Sequence, residues 1–271
     1  MACHQSFASH SVVELEVPDL AYLATHIWPG IGGSKEEREA RSVSKLQKKA
    51  VEKYGPKENR QGAIEELGEL RTPRAVEALL MRYTVRVEPG ITDDEEKQRV
   101  LALLQQPGAA IAVPVLKKFI LGRDEISWPL KALSDLVPEA EVVAFLVEAL
   151  RKAAGEYSRV PEKKVLLLHA LAQHRSSEAV PAALPFLEDM DDEVQIAAAQ
   201  AMAVQQDERA REPLIQHFLR AHEGSNARVR EALAGLLADA QFDVKGYTPK
   251  MEAALPPSYK LDSKARVVRK T

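Results

Sequence analysis

Cysteine, aromatic residues and long apolar runs are scarce in this chain of 271 residues. Cys3 is the single cysteine, so no disulfide can form within the chain, and a reducing compartment is expected. Aromatic residues make up 5% of the sequence, whereas Ala and Leu are abundant. Because Ala and Leu favour helices and β-branched runs are scarce, the composition predicts an all-α protein. No apolar stretch reaches about 18 residues, which predicts that no segment spans a membrane.

The first residues lack the basic segment and apolar core of a secretory signal peptide, and we expect a cytoplasmic protein. Pro and Gly interrupt residues 1–34, whose apolar residues follow no clean period, so this segment is expected to be irregular or disordered. Cys3, His4 and His10 lie within it, but their spacing matches no zinc pattern. We therefore expect no metal site there.

The formal net charge is −3, which argues against a dedicated nucleic-acid-binding protein, since such proteins carry a basic excess. Residues 35–60 contain nine basic and five acidic side chains, and residues 260–271 contain five basic and one acidic. Between them, residues 61–259 contain 23 basic and 31 acidic side chains. The basic flanks either serve solubility or contact an acidic partner, and the sequence leaves both interpretations open.

A capping helix is predicted over residues 35–55. Ser34 and Glu37 have the spacing of a capping box, and Gly55 is followed by a proline that stops a helix. The narrow apolar stripe of this helix consists of Val43, Leu46, Ala50 and Tyr54. Lysines cover much of the remaining surface, which is typical of the outer helix of a stack.

Residues 57–239 contain a pattern of about six helix pairs. One apolar position recurs at intervals of roughly 30 to 40 residues. Its occurrences are Ile64, Leu101, Leu130, Leu168, Ala198 and Leu233. In the first five pairs a second apolar residue follows at a constant spacing, at Val76, Val113, Val142, Val180 and Ala210. We predict an α-α superhelix of the HEAT or armadillo type, with a small irregular C-terminal cap over residues 240–271.

A third apolar position lies one helical turn further on, at Leu80, Leu146, Leu184 and Leu214. The second pair has Lys117 there, which predicts a register shifted by one residue. Thr72, Asp191 and Asn226 are predicted N-caps, and residues 92–95 form a predicted capping box after an extended linker over 84–94. A loop is expected at 154–162. Near the C-terminus we predict a short helix at 249–255 and a hairpin that pairs 259–261 with 266–268.

The later repeats resemble bacterial HEAT-like repeats, the type also found in phycobiliprotein lyase subunits. In that pattern an acidic turn is followed by Val-Arg and then by small apolar residues at helical spacing. A short turn then leads into a second helix. This chain has Val194-Gln195 after such a turn and Val229-Arg230 in the last repeat. Gln195 departs from the usual Arg, which interrupts the expected side-chain ladder. The resemblance covers about residues 57–239 and implies a binding scaffold more than a particular chemistry.

Motifs that carry catalysis are missing. The sequence has no phosphate-binding loop with Lys-Ser/Thr, no HExxH and no CxxC. HEAT-like deoxyhypusine hydroxylases use several His-Glu pairs to hold two irons, and this chain has one such pair, His222-Glu223, expected in a turn between repeats. We therefore expect no enzymatic activity, no catalytic residues, no metal and no cofactor.

A stripe of cations falls toward the later parts of second helices, which usually line the concave face of HEAT stacks. Together with an aromatic residue at a helix start and one histidine, it forms the predicted partner-binding set of Lys117, Lys118, Arg123, Trp128, Arg151, Lys152, His217 and Arg220. The competing interpretation is that these cations favour helix C-termini because of the macrodipole. Trp128 either packs half-buried or contacts a partner.

Three functions remain open on the sequence. The first is a scaffold or adaptor that binds a protein partner on its concave face. The second is nucleic-acid or ribonucleoprotein binding through the basic flanks and the cation stripe. The third is a lyase-like or chaperone-like subunit that acts on a cofactor-bearing protein. The oligomeric state is not predicted.

Overall fold

The computed structural model describes residues 34–154 and 161–270. The chain divides into two compact units, residues 1–45 and residues 46–271. The expectations for residues 1–33 and for the interior of the 154–162 loop lie outside the described residues. No helix in the described ranges is both long enough and apolar enough to cross a membrane.

Helix α1 (Lys35–Ala50) begins with the predicted capping box. The Ser34 backbone N–H donates to Glu37 Oε2 at 3.1 Å, and the Glu37 N–H donates to Ser34 Oγ at 3.2 Å. These two bonds satisfy donors that the first helical turn leaves unpaired. The helix ends at Ala50 and does not reach residue 55. Tyr54, predicted on its apolar stripe, is 91% exposed.

The unit over residues 46–271 is built from consecutive helix pairs. The pairs are α2 (Lys57–Leu70) with α3 (Pro73–Leu80), α4 (Gly90–Gln105) with α5 (Ala109–Gly122), α6 (Ser127–Leu136) with α7 (Glu139–Ala153), α8 (Glu162–Ala172) with α9 (Ala179–Ala183), and α10 (Asp192–Ala203) with α11 (Glu208–Glu223). Helix α12 (Ala227–Ala240) follows as the last helix of the stack, and the short helix α13 (Thr248–Ala254) belongs to the C-terminal cap. Short 3₁₀ helices, Met81–Thr84 and Leu184–Glu188, extend α3 and α9.

Helices in equivalent positions of neighbouring pairs pack against each other. Among first helices, α2 contacts α4, α4 contacts α6, α8 contacts α10, and α10 contacts α12. Among second helices, α3 contacts α5, and α7 contacts α9. This packing, in which each pair buries its apolar faces against the next pair, is that of a HEAT-like stack. The predicted all-α fold class is confirmed.

The predicted repeat register is confirmed in most pairs. Five of the recurring positions in first helices, Ile64, Leu130, Leu168, Ala198 and Leu233, are at most 8% exposed, and so are all five partner positions in second helices. Leu101 is half-buried. In the second pair Leu116 is 0% exposed beside a half-buried Lys117, so the predicted shift by one residue is confirmed.

Leu184 was predicted in the core but is 43% exposed. The reason is the sequence Val180-Pro181-Ala182-Ala183-Leu184-Pro185. A proline removes one backbone donor and crowds the preceding helical turn. Helix α9 accordingly ends at Ala183, and the chain continues as a 3₁₀ helix that turns Leu184 toward solvent.

The predicted capping box at residues 92–95 is wrong. Helix α4 begins at Gly90, immediately after Pro89, so Thr92 and Asp93 lie inside the helix and are buried. The predicted N-caps at Thr72, Asp191 and Asn226 are confirmed, since each side chain accepts a backbone N–H of the following helix.

The C-terminal cap covers the last helix of the stack. Strand β1 (Tyr259–Leu261) pairs antiparallel with β2 (Val267–Arg269), and Tyr259 lies opposite Arg269. The second strand thus begins one residue later than predicted. Strand β2 packs on α12, where Val267 is fully buried and Arg269 Nη1 lies 2.7 Å from Asp239 Oδ1. The short helix α13 agrees with the prediction within one residue at each end.

Candidate protein-binding surface

Most cations of the predicted stripe form ion pairs with acidic residues of the chain. Their partners are Glu141 for Lys117 at 2.8 Å, Glu178 for Arg151 at 3.1 Å, Glu148 for Lys152 at 2.8 Å, and Glu188 for Arg220 at 3.6 Å. Lys118 is exposed and forms no ion pair within the described ranges. Arg151, Lys152 and Arg220 lie in the last turns of their helices, where the helix dipole favours cations. Four of the six cations in the stripe therefore already have acidic partners within the chain.

Trp128, unlike the cations of the stripe, packs against another aromatic ring and a lysine. Its ring is stacked on that of Tyr83, with centroids 5.8 Å apart and an interplanar angle of 6°. The Lys131 ammonium lies 5.6 Å from the indole centroid, one turn along α6. Tyr83 is 4% exposed, and its hydroxyl donates to the Lys97 carbonyl at 3.3 Å. The buried tyrosine thus holds a half-buried indole in one orientation.

Arg123 contacts the same 3₁₀ helix that carries Tyr83. Its Nη2 lies 3.7 Å from Met81 Sδ, and its guanidinium lies 5.9 Å from the Phe119 ring centroid. We call Met81, Tyr83, Arg123, Trp128 and Lys131 the aromatic–basic patch. The sequence predicted Arg123 and Trp128 but missed Tyr83 and Lys131. The spacing of Trp128 and Lys131 by one helical turn was the available signal for the latter.

Buried ion pairs hold the 3₁₀ helix that carries Met81 and Tyr83 of the patch. Arg82, which is fully buried, donates to Asp93 Oδ1 at 2.7 Å, to Glu96 Oε2 at 2.9 Å and to the Val85 carbonyl at 2.7 Å. Arg60 donates to the other side of the Glu96 carboxylate at 3.1 Å. These bonds join the 3₁₀ helix to α2 and α4, so they fix the segment from which Tyr83 projects.

Asp93 accepts from three donors. Besides Arg82, Lys97 Nζ lies 2.7 Å from its Oδ2, and the Val87 N–H donates to its Oδ1 at 3.1 Å. Burial by itself would raise the pKa of Asp93, but the hydrogen bonds from Lys97, Arg82 and Val87 outweigh burial and lower the pKa. The carboxylate is therefore held in its charged form.

His217 does not lie on a surface. It is 5% exposed within α11, and neither ring nitrogen has a hydrogen-bond partner among the residues that the structure describes. Burial, and then the positive charge of Arg220, lower the pKa of His217 to about 4, against an opposing effect of Glu188. The prediction that His217 contacts a partner is corrected, because its imidazole is enclosed by the packing of α11.

Two-iron HEAT-like enzymes use several His-Glu pairs, so the question for the described part of the chain is whether side chains that could hold a metal ion come together. Within residues 34–154 and 161–270, no three His, Cys, Asp or Glu side chains come together in a way that could hold a metal ion. The single His222-Glu223 pair lies in the last turn of α11 and not in a turn between repeats, and His222 Nδ1 lies 3.1 Å from Arg230 Nη1. No further described His, Cys, Asp or Glu side chain completes a metal site with this pair.

No protein-family model and no curated protein matches the chain. Among solved structures, the chain is similar to human deoxyhypusine hydroxylase in complex with glycerol, with a TM-score of 0.33 and 17% sequence identity. The match covers 80% of this chain and 91% of that one. That protein is an enzyme, so the expectation of no enzymatic activity, drawn from missing motifs, is withdrawn; with a TM-score of 0.33 the likeness carries no argument about what this chain does. A likeness this distant carries no argument about individual residues.

Proposed function

We propose that this chain binds a protein partner through the aromatic–basic patch, and that an acidic segment of the partner contacts Arg123 and Lys131. The observation that carries the proposal is the stacking of Trp128 on Tyr83 at 5.8 Å. Tryptophan, tyrosine and arginine are the side chains most enriched among residues that dominate protein–protein binding energy. Tyr83 covers one face of the Trp128 indole, and a partner that covers the rest of the ring would bury it completely.

Preorganisation supports this choice of surface. An interface gains affinity when its side chains need not be ordered on binding. Arg82 anchors the 3₁₀ helix through Asp93 and Glu96, and Tyr83 in turn orients Trp128. The indole can therefore meet a partner without losing much rotational freedom.

The charge distribution favours a protein over a nucleic acid. Nucleic-acid affinity arises mainly from cations that neutralise phosphates. In the predicted stripe, Lys117, Arg151 and Lys152 already have acidic partners within 3.1 Å. A phosphate chain approaching them would also approach those carboxylates, whereas a short acidic peptide can contact the aromatic–basic patch alone.

The proposal is tested by site-specific photo-cross-linking of the full chain in its native host. A photoreactive amino acid replaces Lys131 in one variant and Lys264, in the exposed turn of the C-terminal hairpin, in the control. We expect a discrete protein adduct from position 131 that disappears when Trp128→Ala is added, and no such adduct from position 264. Equal adducts at both positions would contradict the proposal. Recovery of nucleic acid at position 131, lost steeply as salt rises, would support the nucleic-acid alternative instead.

A further inference from the structure

We infer that a single-stranded nucleic acid binds along helix α1, with its phosphates on the exposed cations of the helix and one base stacked on Tyr54. This surface is separate from the aromatic–basic patch. The helix carries a row of cations that have no acidic partner among the described residues, and Tyr54, which follows the row, is 91% exposed.

The cations of α1 share one side of the helix. Their positions are three or four residues apart, which places the side chains in a row along about 17 Å of helix. The row consists of Arg38, Arg41, Lys45, Lys48 and Lys49, all of them exposed. The apolar side of the same helix consists of Val43, Leu46 and Ala50, which are at most 7% exposed. Burial of the apolar side thus leaves the cations facing solvent.

These cations are not neutralised within residues 34–154 and 161–270, since none of the five forms an ion pair there. Residues 40–51 contain four basic and no acidic side chains. Glu37, near the start of the helix, accepts the Ser34 N–H, and Glu39 is half-buried. The cation stripe of the second helices differs, because most of its members have acidic partners. Phosphates that approach α1 therefore meet positive charge that can replace their counterions.

Tyr54 presents an aromatic ring just beyond the C-terminal end of this row. It lies in the turn after α1, and at 91% exposure it is far more accessible than most tyrosines. Lys53 Nζ lies 5.3 Å from the centroid of its ring. A base stacked on the ring can therefore place its phosphate near the Lys53 ammonium.

The turn that carries Tyr54 is fixed by a buried side chain of α2. Arg60 is 3% exposed, and its Nη1 donates to the Gly55 carbonyl at 2.6 Å and to the Glu52 carbonyl at 3.5 Å. The Gly55 N–H donates to the same Glu52 carbonyl at 3.4 Å. Because the backbone on both sides of Tyr54 is held, a base can stack on the ring without ordering the turn.

The combination of cations and an exposed ring favours a single strand over other anions. Proteins that bind single strands follow the backbone with cations and stack bases on aromatic side chains. In a duplex the bases are already stacked on one another, and an acidic peptide has no base to stack on Tyr54. An anionic membrane would draw on the apolar side of a basic amphipathic helix, and in α1 that side is buried.

Fluorescence anisotropy of a labelled single-stranded oligonucleotide with the full chain tests the stacking. Tyr54→Ala should weaken binding about 5- to 150-fold, the range that one stacked base accounts for. Tyr54→Phe keeps the ring and should bind as the unmodified chain does. Trp128→Ala, in the aromatic–basic patch, should leave the affinity unchanged, which separates this surface from the proposed protein-binding one. No binding by the unmodified chain, or equal affinity of Tyr54→Ala, would overturn the inference.

The salt dependence of the same binding tests the cations. The logarithm of the affinity should fall linearly with the logarithm of the salt concentration, by about 0.7 per phosphate contacted. Lys45→Ala combined with Lys49→Ala should flatten this slope by about 1.4. The matched control, Lys260→Ala with Lys264→Ala on the C-terminal hairpin, should leave the slope unchanged.

Competitors decide between a single strand and other anionic partners. We expect a duplex of the same length, a polyglutamate peptide and phosphatidylserine vesicles each to displace the labelled strand less well than the unlabelled strand does. Displacement by any of them as effective as that by the unlabelled strand would overturn the inference in favour of that partner. Circular dichroism of each variant confirms that a loss of binding is not a loss of folding.

Discussion

Arg82 and Asp93 form a buried ion pair, with Arg82 Nη2 2.7 Å from Asp93 Oδ1 and both residues at most 4% exposed. The pair joins the 3₁₀ helix after α3 to the first turns of α4. Burying a charge is unfavourable unless it is paired and hydrogen-bonded, and here every nitrogen of the Arg82 guanidinium has an acceptor. Removing one partner of this pair would therefore leave the other charge buried and incompletely paired.

Asp93→Ala should lower the free energy of unfolding by about 3–5 kcal/mol, because Arg82 and Lys97 lose their shared acceptor inside the protein. Chemical denaturation measures the change. The matched control is the exposed neighbour Asp94→Ala, which should change stability by less than about 0.5 kcal/mol. Similar effects of the two variants would show that the buried pair is not a source of stability.

Acid should destabilise the fold through His217. Its pKa is about 4 in the folded chain and 6.5 in a model peptide, so the unfolded state binds the proton more tightly. The contribution to stability is complete above pH 6.5 and is lost as the pH falls toward 4, by about 2–3 kcal/mol. Denaturant melts from pH 7.5 to pH 4 measure this slope.

His217→Leu should flatten that slope, because an apolar side chain of similar size occupies the site at every pH. The fall in stability below pH 4 that arises from protonation of carboxylates such as Asp93 should remain, since their pKa values are lowered in the fold. An unchanged slope between pH 6.5 and pH 4 would contradict the assignment to His217.

Leu171→Ala should lower the free energy of unfolding by about 2–5 kcal/mol, since Leu171 is fully buried in α8 and its removal leaves a cavity. Leu184→Ala, the same chemical change at a residue that is 43% exposed, should cost less than about 1 kcal/mol. Thermal and denaturant unfolding of the two variants compare them directly. A larger loss at Leu184 would mean that the register of the fourth pair is misassigned.

Two glycines of α2 should respond to alanine in opposite directions. A Cβ at Gly62 would meet nothing within 4 Å, so Gly62→Ala should stabilise the chain by about 0.5–1 kcal/mol through helix propensity. A Cβ at Gly68 would lie 2.5 Å from Leu103 Cδ2, and Leu103 is only 2% exposed. Gly68→Ala should therefore destabilise the chain by about 1–3 kcal/mol through overpacking. Equal melting temperatures would show that α2 and α4 are packed less closely.

Part of the candidate site was predictable from sequence. Trp128 could be predicted as an aromatic residue at a helix start, and Arg123 as a member of the cations that fall toward the later parts of second helices. Tyr83 was not predictable, because the stack on Trp128 joins residues far apart in the chain. The same holds for Arg82, whose burial follows from acceptors on α4 that a local pattern does not reveal. His217 was wrongly predicted to lie on a binding surface, because a polar residue on a helix is usually exposed.

The sequence by itself determined the helix pairs and most of their register, because burial against a neighbouring pair imposes an apolar period that local residues must follow, as Ile64 and Val76 do. Tertiary structure alone decided which charges are buried, which cations are neutralised and where an aromatic ring is held. These outcomes depend on distances between residues of different helices, such as Arg82 and Asp93, and no periodicity along the chain encodes such distances.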